Sequence, residues 1–148
     1  MPKTVVIRGD GGQVQIEVLN YERPKSTEGS DANWLVCRYG VTVREFSCDV
    51  SLSLMTDDFV RFLDDLDEAL RSLKGTAVFA TAESGLKLET KFKAAGHADV
   101  FGTVQSQLSV VPSLTKLDFS FESDQSFLSH TVEGLRAVIQ QFPVRGRI

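Results

Sequence analysis

Residues 34–75 read WLVCRYGVTVREFSCDVSLSLMTDDFVRFLDDLDEALRSLKG, and within that stretch the apolar period changes from two residues to between three and four. Leu35, Cys37, Tyr39, Val41 and Val43 alternate along one face, and Phe46, Cys48, Val50, Leu52 and Leu54 do the same further on. That is the pattern of two core strands, one from Trp34 to about Val43 and one from about Phe46 to Leu54. After them Thr56-Asp57-Asp58 offers an N-cap, with acidic residues in the first turn where the helix dipole favours them. The helix runs to about Leu73 and stops at Gly75. Phe59, Phe62, Leu63, Leu66, Leu70 and Leu73 form its apolar stripe, and Asp57, Arg61, Asp64, Glu68 and Arg71 lie opposite.

Working outward, Val5 and Ile7, then Val14, Ile16 and Val18, flank Gly9-Asp10-Gly11-Gly12 and predict a β-hairpin. Arg8-Gly9-Asp10 also spells a cell-adhesion tripeptide, but a hairpin tip accounts for it. Residues 22–30 are polar and contain Pro24 and Gly29, so they read as an exposed loop. Beyond the helix four more strands are expected, at about Thr76–Thr81, Leu86–Lys93, Asp99–Val111 and Leu114–Glu122. Their turns fall at Glu83-Ser84-Gly85, Ala95-Gly96-His97 and Pro112-Ser113. A second helix starts at an Asp124 N-cap and carries Leu128, Val132, Leu135, Val138, Ile139 and Phe142 on one stripe until Pro143 ends it. Short strands with tight turns and two helices predict an α+β fold. We expect an antiparallel sheet of about six to eight strands with both helices on one face, a two-layer sandwich, over a single domain 1–148.

A chain of 148 residues buries ~70% of the surface its unfolded form exposes, enough for one core. Sixteen basic against twenty acidic residues give a formal charge of −4, which favours solubility and disfavours a sequence-independent hold on nucleic acid. Met1-Pro2-Lys3-Thr4 leads straight into Val5-Val6-Ile7, unlike a signal peptide, and no run approaches the ~20 apolar residues of a membrane span. The expected location is the cytoplasm, with no membrane partner.

Chemistry is hard to find. Cys37 and Cys48 would form a disulfide only if their strands paired in the right register, and free buried thiols are the commoner use of cysteine in a reducing compartment. Together with His97 and His130 they make no close pair of the kind zinc recruits, so no metal and no cofactor is expected. His130 falls on the polar face of the second helix and His97 at a hairpin tip, neither suited to catalysis. The helix carboxylates pair at i,i+4 with arginines, Asp57 with Arg61 and Asp67 with Arg71, as on a solvated surface. Neither a GxxxxGK[ST] nor a GxGxxG phosphate loop occurs.

Asp31-Ala32-Asn33-Trp34-Leu35 stands where the polar loop meets the third strand. Asp31 and Asn33 are suited to hydrogen-bond nearby backbone there, and Trp34 brings a large ring with one donor, so the segment reads as a structural corner. A partly exposed Trp34 would instead serve as a binding anchor.

At these residues the sequence resembles the WapI family of immunity proteins, bacterial cytoplasmic proteins that protect a cell against the C-terminal toxin domain of a secreted polymorphic toxin. The likeness is carried by Asp31-Ala32-Asn33-Trp34-Leu35 after an early hairpin, by the acidic helix from Asp57 to Leu73, and by the closing helix with Leu135-Arg136-Ala137-Val138 and Gln141-Phe142-Pro143. The resemblance implies a non-catalytic, stoichiometric inhibitor of a cognate toxin domain, with that domain as partner. A toxin that acts on nucleic acid would be basic, which points to Asp57, Asp64, Asp65 and Glu68 as contact residues. Two alternatives stand beside it: an interaction module using the polar sheet face of Lys87, Glu89, Lys91 and Lys93, and an enzyme or ligand-binding protein with a cryptic site. An antiparallel sheet edge would also let the chain pair with a second copy as a homodimer.

Overall fold

Wherever turn residues let the chain double back, the alternating segments become antiparallel strands. The computed structural model describes residues 3–26, 28–81, 85–108 and 115–146. Its elements are β1 (Lys3–Gly9), β2 (Gly12–Tyr21), a 3-10 turn (Ser30–Asn33), β3 (Trp34–Val43), β4 (Phe46–Met55), α1 (Thr56–Ser72), β5 (Thr76–Ala80), β6 (Leu86–Phe92), a second 3-10 turn (Ala94–Gly96), β7 (His97–Gln105), β8 (Lys116–Asp124) and α2 (Gln125–Gln141). The α+β class, the antiparallel strands and the two helices packed on sheets agree with the sequence reading. The eight described strands divide into two four-stranded meanders, β1-β2-β3-β4 and β5-β6-β7-β8. The division has a local cause: α1 follows β4 directly, so the chain leaves the first sheet and begins a second one.

Alternation places Val5, Ile7, Val14, Ile16, Val18, Leu35, Cys37, Tyr39 and Val41 in the core, essentially inaccessible. Their neighbours on the other face, such as Gln15, Arg38 and Thr42, stay wet. From α1, Phe59 and Phe62 reach Phe79 of β5 edge-on at 5.5 and 5.4 Å. From α2, the Thr131 hydroxyl donates to the Val6 carbonyl at 2.8 Å, closing the helix over edge strand β1. Buried side chains of both sheets and both helices form one connected cluster. β4 departs from expectation: Leu52 and Leu54 are buried, but Cys48 and Val50 are half-buried and Phe46 is 63% exposed. Helix α1 begins at the opposite end of that strand.

The sheets join where the β1–β2 hairpin tip meets β8. Asp10 N–H donates to the Glu122 carbonyl at 2.7 Å, and the Ser123 hydroxyl donates to the Arg8 carbonyl at 2.6 Å. Glycine permits this approach, since a Cβ on Gly9 would lie 2.1 Å from the Glu122 oxygen and one on Gly12 only 2.4 Å from the Phe121 ring. The Arg8-Gly9-Asp10 tripeptide is thereby packed against β8.

Several boundaries differ from the sequence reading. Thr56 is buried inside α1, and Met55 is the N-cap; Asp58 reaches back from the third helical position to accept Met55 N–H at 2.9 Å, half of a capping box. Asp124 caps α2 as expected, accepting from Phe127 N–H at 3.0 Å. β7 ends at Gln105 rather than Val111. Leu108 N–H turns to the Ser106 hydroxyl and the Gln107 amide to the Gln105 carbonyl, local bonds that compete with a ladder. β8 starts at Lys116, and the Pro112-Ser113 turn and residues 83 and 84 lie outside the described residues. Cys37 opposes Leu52 while Cys48 opposes Val41, so the register keeps the thiols apart and both are free. No helix among the described residues is long and apolar enough to cross a membrane.

Two measurements test these contacts. Gly12→Ala drives a methyl into the Phe121 ring and is expected to cost about 1–3 kcal/mol in chemical denaturation. Burial pushes the Cys37 thiol up to about 12 from its usual 9.0. Its contribution is therefore full below pH 9 and is lost as pH rises from 9 toward 12, because the unfolded thiol ionises first. Cys37→Val should flatten that alkaline loss, and an unchanged slope would rule the thiol out as its cause.

Candidate functional site

Helix α1 has one packed face and one charged face. Six acidic and two basic residues lie between Thr56 and Ser72, so the helix carries a formal charge of −4. The remaining fourteen acidic and fourteen basic residues of the chain cancel, which places the whole net charge on this one element. Asp64, Asp65 and Glu68 are exposed and Asp57 is partly so. By helix geometry these four fall within about a third of the circumference and along about 16 Å of axis.

The arginines answer only part of that charge. Arg61 bonds Asp58 at 2.7 Å. Burial raises the Asp58 carboxyl above its ordinary range, while the Met55 N–H and Arg61 pull it back. Arg71 lies 3.0 Å from Glu68 and 3.7 Å from Asp67, and Arg136 of α2 approaches Asp67 at 3.4 Å. Asp64 and Asp65 make no ion pair among the described residues. Two carboxylates of the outer stripe of α1, Asp64 and Asp65, thus face solvent.

The corner at residues 31–35 is built differently from its sequence reading. Asn33 is fully buried and bonds backbone 112 residues away: its amide donates to the Arg145 carbonyl at 3.0 Å and its oxygen accepts Arg145 N–H at 2.7 Å. The Arg145 guanidinium donates to the carbonyls of Ala32 (2.7 Å), Pro24 (3.0 Å) and Arg23 (3.0 Å) and lies 3.5 Å over the Tyr21 ring. The Tyr21 hydroxyl donates to the Pro143 carbonyl at 2.6 Å. Arg145 and Tyr21 therefore complete the corner, and neither stood out in the sequence because each is an isolated residue far from Asn33. Asp31 is exposed and 3.7 Å from Arg23; Trp34 is half-buried at the start of β3, where its carbonyl accepts Glu22 N–H.

Among the depressions in the surface, two are lined in part by Cys48 and Asp49 of β4. One, about 540 Å³, lies on the outer face of the first sheet around Gly40, between Gln13, Gln15, Glu17, Arg38 and Asp49. The other, about 510 Å³, is more apolar and runs between β4 and the β7–β8 end, past Phe46, Cys48, Val50, Leu108 and Leu117. Neither is lined by a histidine. His97 opens β7 with Nδ1 3.6 Å from Glu122, and His130 stands exposed on α2 near Glu133. The polar face of the second sheet holds Lys87 paired with Glu89 at 2.8 Å, while Lys93 bonds Asp99 and Glu122 at 3.0 Å each.

The acidic outer stripe of α1 and the braced loop before β3 are the features that set this surface apart. The model of the Immunity protein WapI-like family matches residues 5–143, and the chain belongs to that family. Among solved structures, the CdiA-CT/CdiI toxin and immunity complex from Enterobacter cloacae aligns at 14% identity and a TM-score of 0.44, covering 76% of this chain and 92% of that one. A search of curated proteins finds no match.

Removing the Asn33 side chain leaves two backbone groups of Arg145 without partners in a buried corner. Asn33→Ala should cost about 1–3 kcal/mol of stability. An unchanged denaturation midpoint would show that the corner does not brace the fold.

Proposed function

We propose that this protein acts in the cytoplasm as a stoichiometric inhibitor, without turnover, of a cognate toxin domain with a basic surface. Family membership supports the toxin as partner. The observation that carries the finer reading is the concentration of the entire net charge on α1. In this reading Asp57, Asp64, Asp65 and Glu68 meet the basic cleft of the toxin, where they take the place of phosphate and keep substrate out. Clustered like charge of this kind acts mainly on the rate of encounter, accelerating it at low salt and fading as ionic strength rises. Asn33 serves the scaffold, holding the loop that precedes β3, while exposed Asp31 and half-buried Trp34 remain open to a partner.

The test uses the toxin domain encoded by the neighbouring open reading frame. Asp64→Lys with Asp65→Lys should slow association by about tenfold or more at low salt and flatten its salt dependence. Because both side chains are exposed, stability should move by no more than about 0.5 kcal/mol. Association unchanged at every ionic strength would remove α1 from the interface.

A further inference from the structure

Gly40 is a glycine the fold does not need. Where Gly9, Gly12 and Gly102 stand, an added Cβ would fall within 2.1–2.4 Å of a neighbour. At Gly40 the nearest atoms to such a Cβ are the Cys48 and Gln15 carbonyl oxygens at 4.0 Å, and its φ is not in the left-handed region. A glycine inside a strand weakens it, and at a position with no bulge and no close neighbour it leaves the backbone open to the approach of another molecule.

The surroundings of Gly40 say what kind of molecule. Across the sheet it sits between Gln15 of β2 and Asp49 of β4. The next row on the same face holds Glu17 and Arg38, and the row on the other side holds Gln13 and Thr42. The depression of about 540 Å³ lies over this position. Arg38 is committed to Asp49, while Glu17 makes no ion pair among the described residues. Two carboxylates against one guanidinium give the rim a formal charge of −1, with the side-chain oxygens of Gln13 and Gln15 as further acceptors. That set complements a cation with several donors. β4 carries this face on to Met55, about 20 Å away by strand rise, where α1 and Asp57 begin.

We propose that the depression over Gly40 receives a lysine or arginine side chain of the toxin domain, whose backbone lies against β3. This rests on the toxin-binding reading and divides the labour within it: α1 governs how fast the complex forms, and the Gly40 depression how long it lasts. Short-range contacts of this sort show in the dissociation rate, whereas long-range charge shows in association.

The experiment measures both rate constants with the neighbouring frame's toxin domain, alongside the melting temperature of the free protein. Gly40→Leu puts an outward side chain into the floor of the depression, where a Cβ has room. It should leave the melting temperature equal or higher, keep association within about twofold and speed dissociation by about tenfold or more. Glu17→Lys, an outer-face change independent of strand propensity, should speed dissociation in the same direction. Dissociation at the wild-type rate in both variants, with the Asp64 and Asp65 reversals still slowing association, overturns this inference alone. Failure of the wild-type protein to bind the toxin domain overturns the toxin reading and this inference together.

Discussion

The contact of the β1–β2 hairpin tip with β8 is the constraint around which the two sheets are arranged. Each meander could satisfy its own ladder, but neither could cover its apolar face alone. The Gly9 and Gly12 positions let the tip come within hydrogen-bonding distance of Glu122 and Ser123, with Phe121 filling the space that two side chains would otherwise occupy. Once that seam is set, β8 delivers α2 onto β1, and α1 comes to rest between α2 and β5. The connected core follows from the seam and from the helices it brings together.

The arrangement separates a packed face from a charged one within single elements. On α1, Phe59, Phe62 and Leu66 are inaccessible, and the acidic residues a turn away have little structural work to do. Crowding like charge on a helix costs about 0.2–0.5 kcal/mol per close pair, a burden the packed face must offset. Asp58 is the exception among these acids: it is buried, caps the helix and holds Arg61. It belongs to the fold, whereas Asp64 and Asp65, two turns on, lie exposed.

Legibility in the sequence tracked the range of the interaction concerned. β3 was readable to the residue, since five alternating apolar side chains settle its face and its ends coincide with polar junctions. α1 and α2 were readable for the same reason at helical spacing, and Asp124 was recognisable as a cap. The α1 cap was misread because Thr56 is a favoured capping type, whereas the bond to Met55 comes from Asp58 three residues on. The overlong β7 followed from a β-favouring run with no proline before residue 112, and side-chain bonds at Ser106 and Gln107 end it sooner. The split into two sheets, the Arg145 clamp and the depression over Gly40 depend on partners far apart along the chain or side by side only in the sheet. The acidic stripe was visible from spacing alone, but the partners of Arg61, Arg71 and Arg136, which leave Asp64 and Asp65 unanswered, required the packed helices.

The clamp on the loop before β3 has a consequence for synthesis. Arg145 is made 112 residues after Asn33, which at ribosomal speed is on the order of 6–20 s later. During that interval β1 to β4 can emerge and pair while the Asn33 amide and the carbonyls of Arg23, Pro24 and Ala32 wait for their partner. The corner is fastened only once Arg145 has emerged from the ribosome, so nascent chains pass through a stage in which the first sheet is in place and its longest loop is untied.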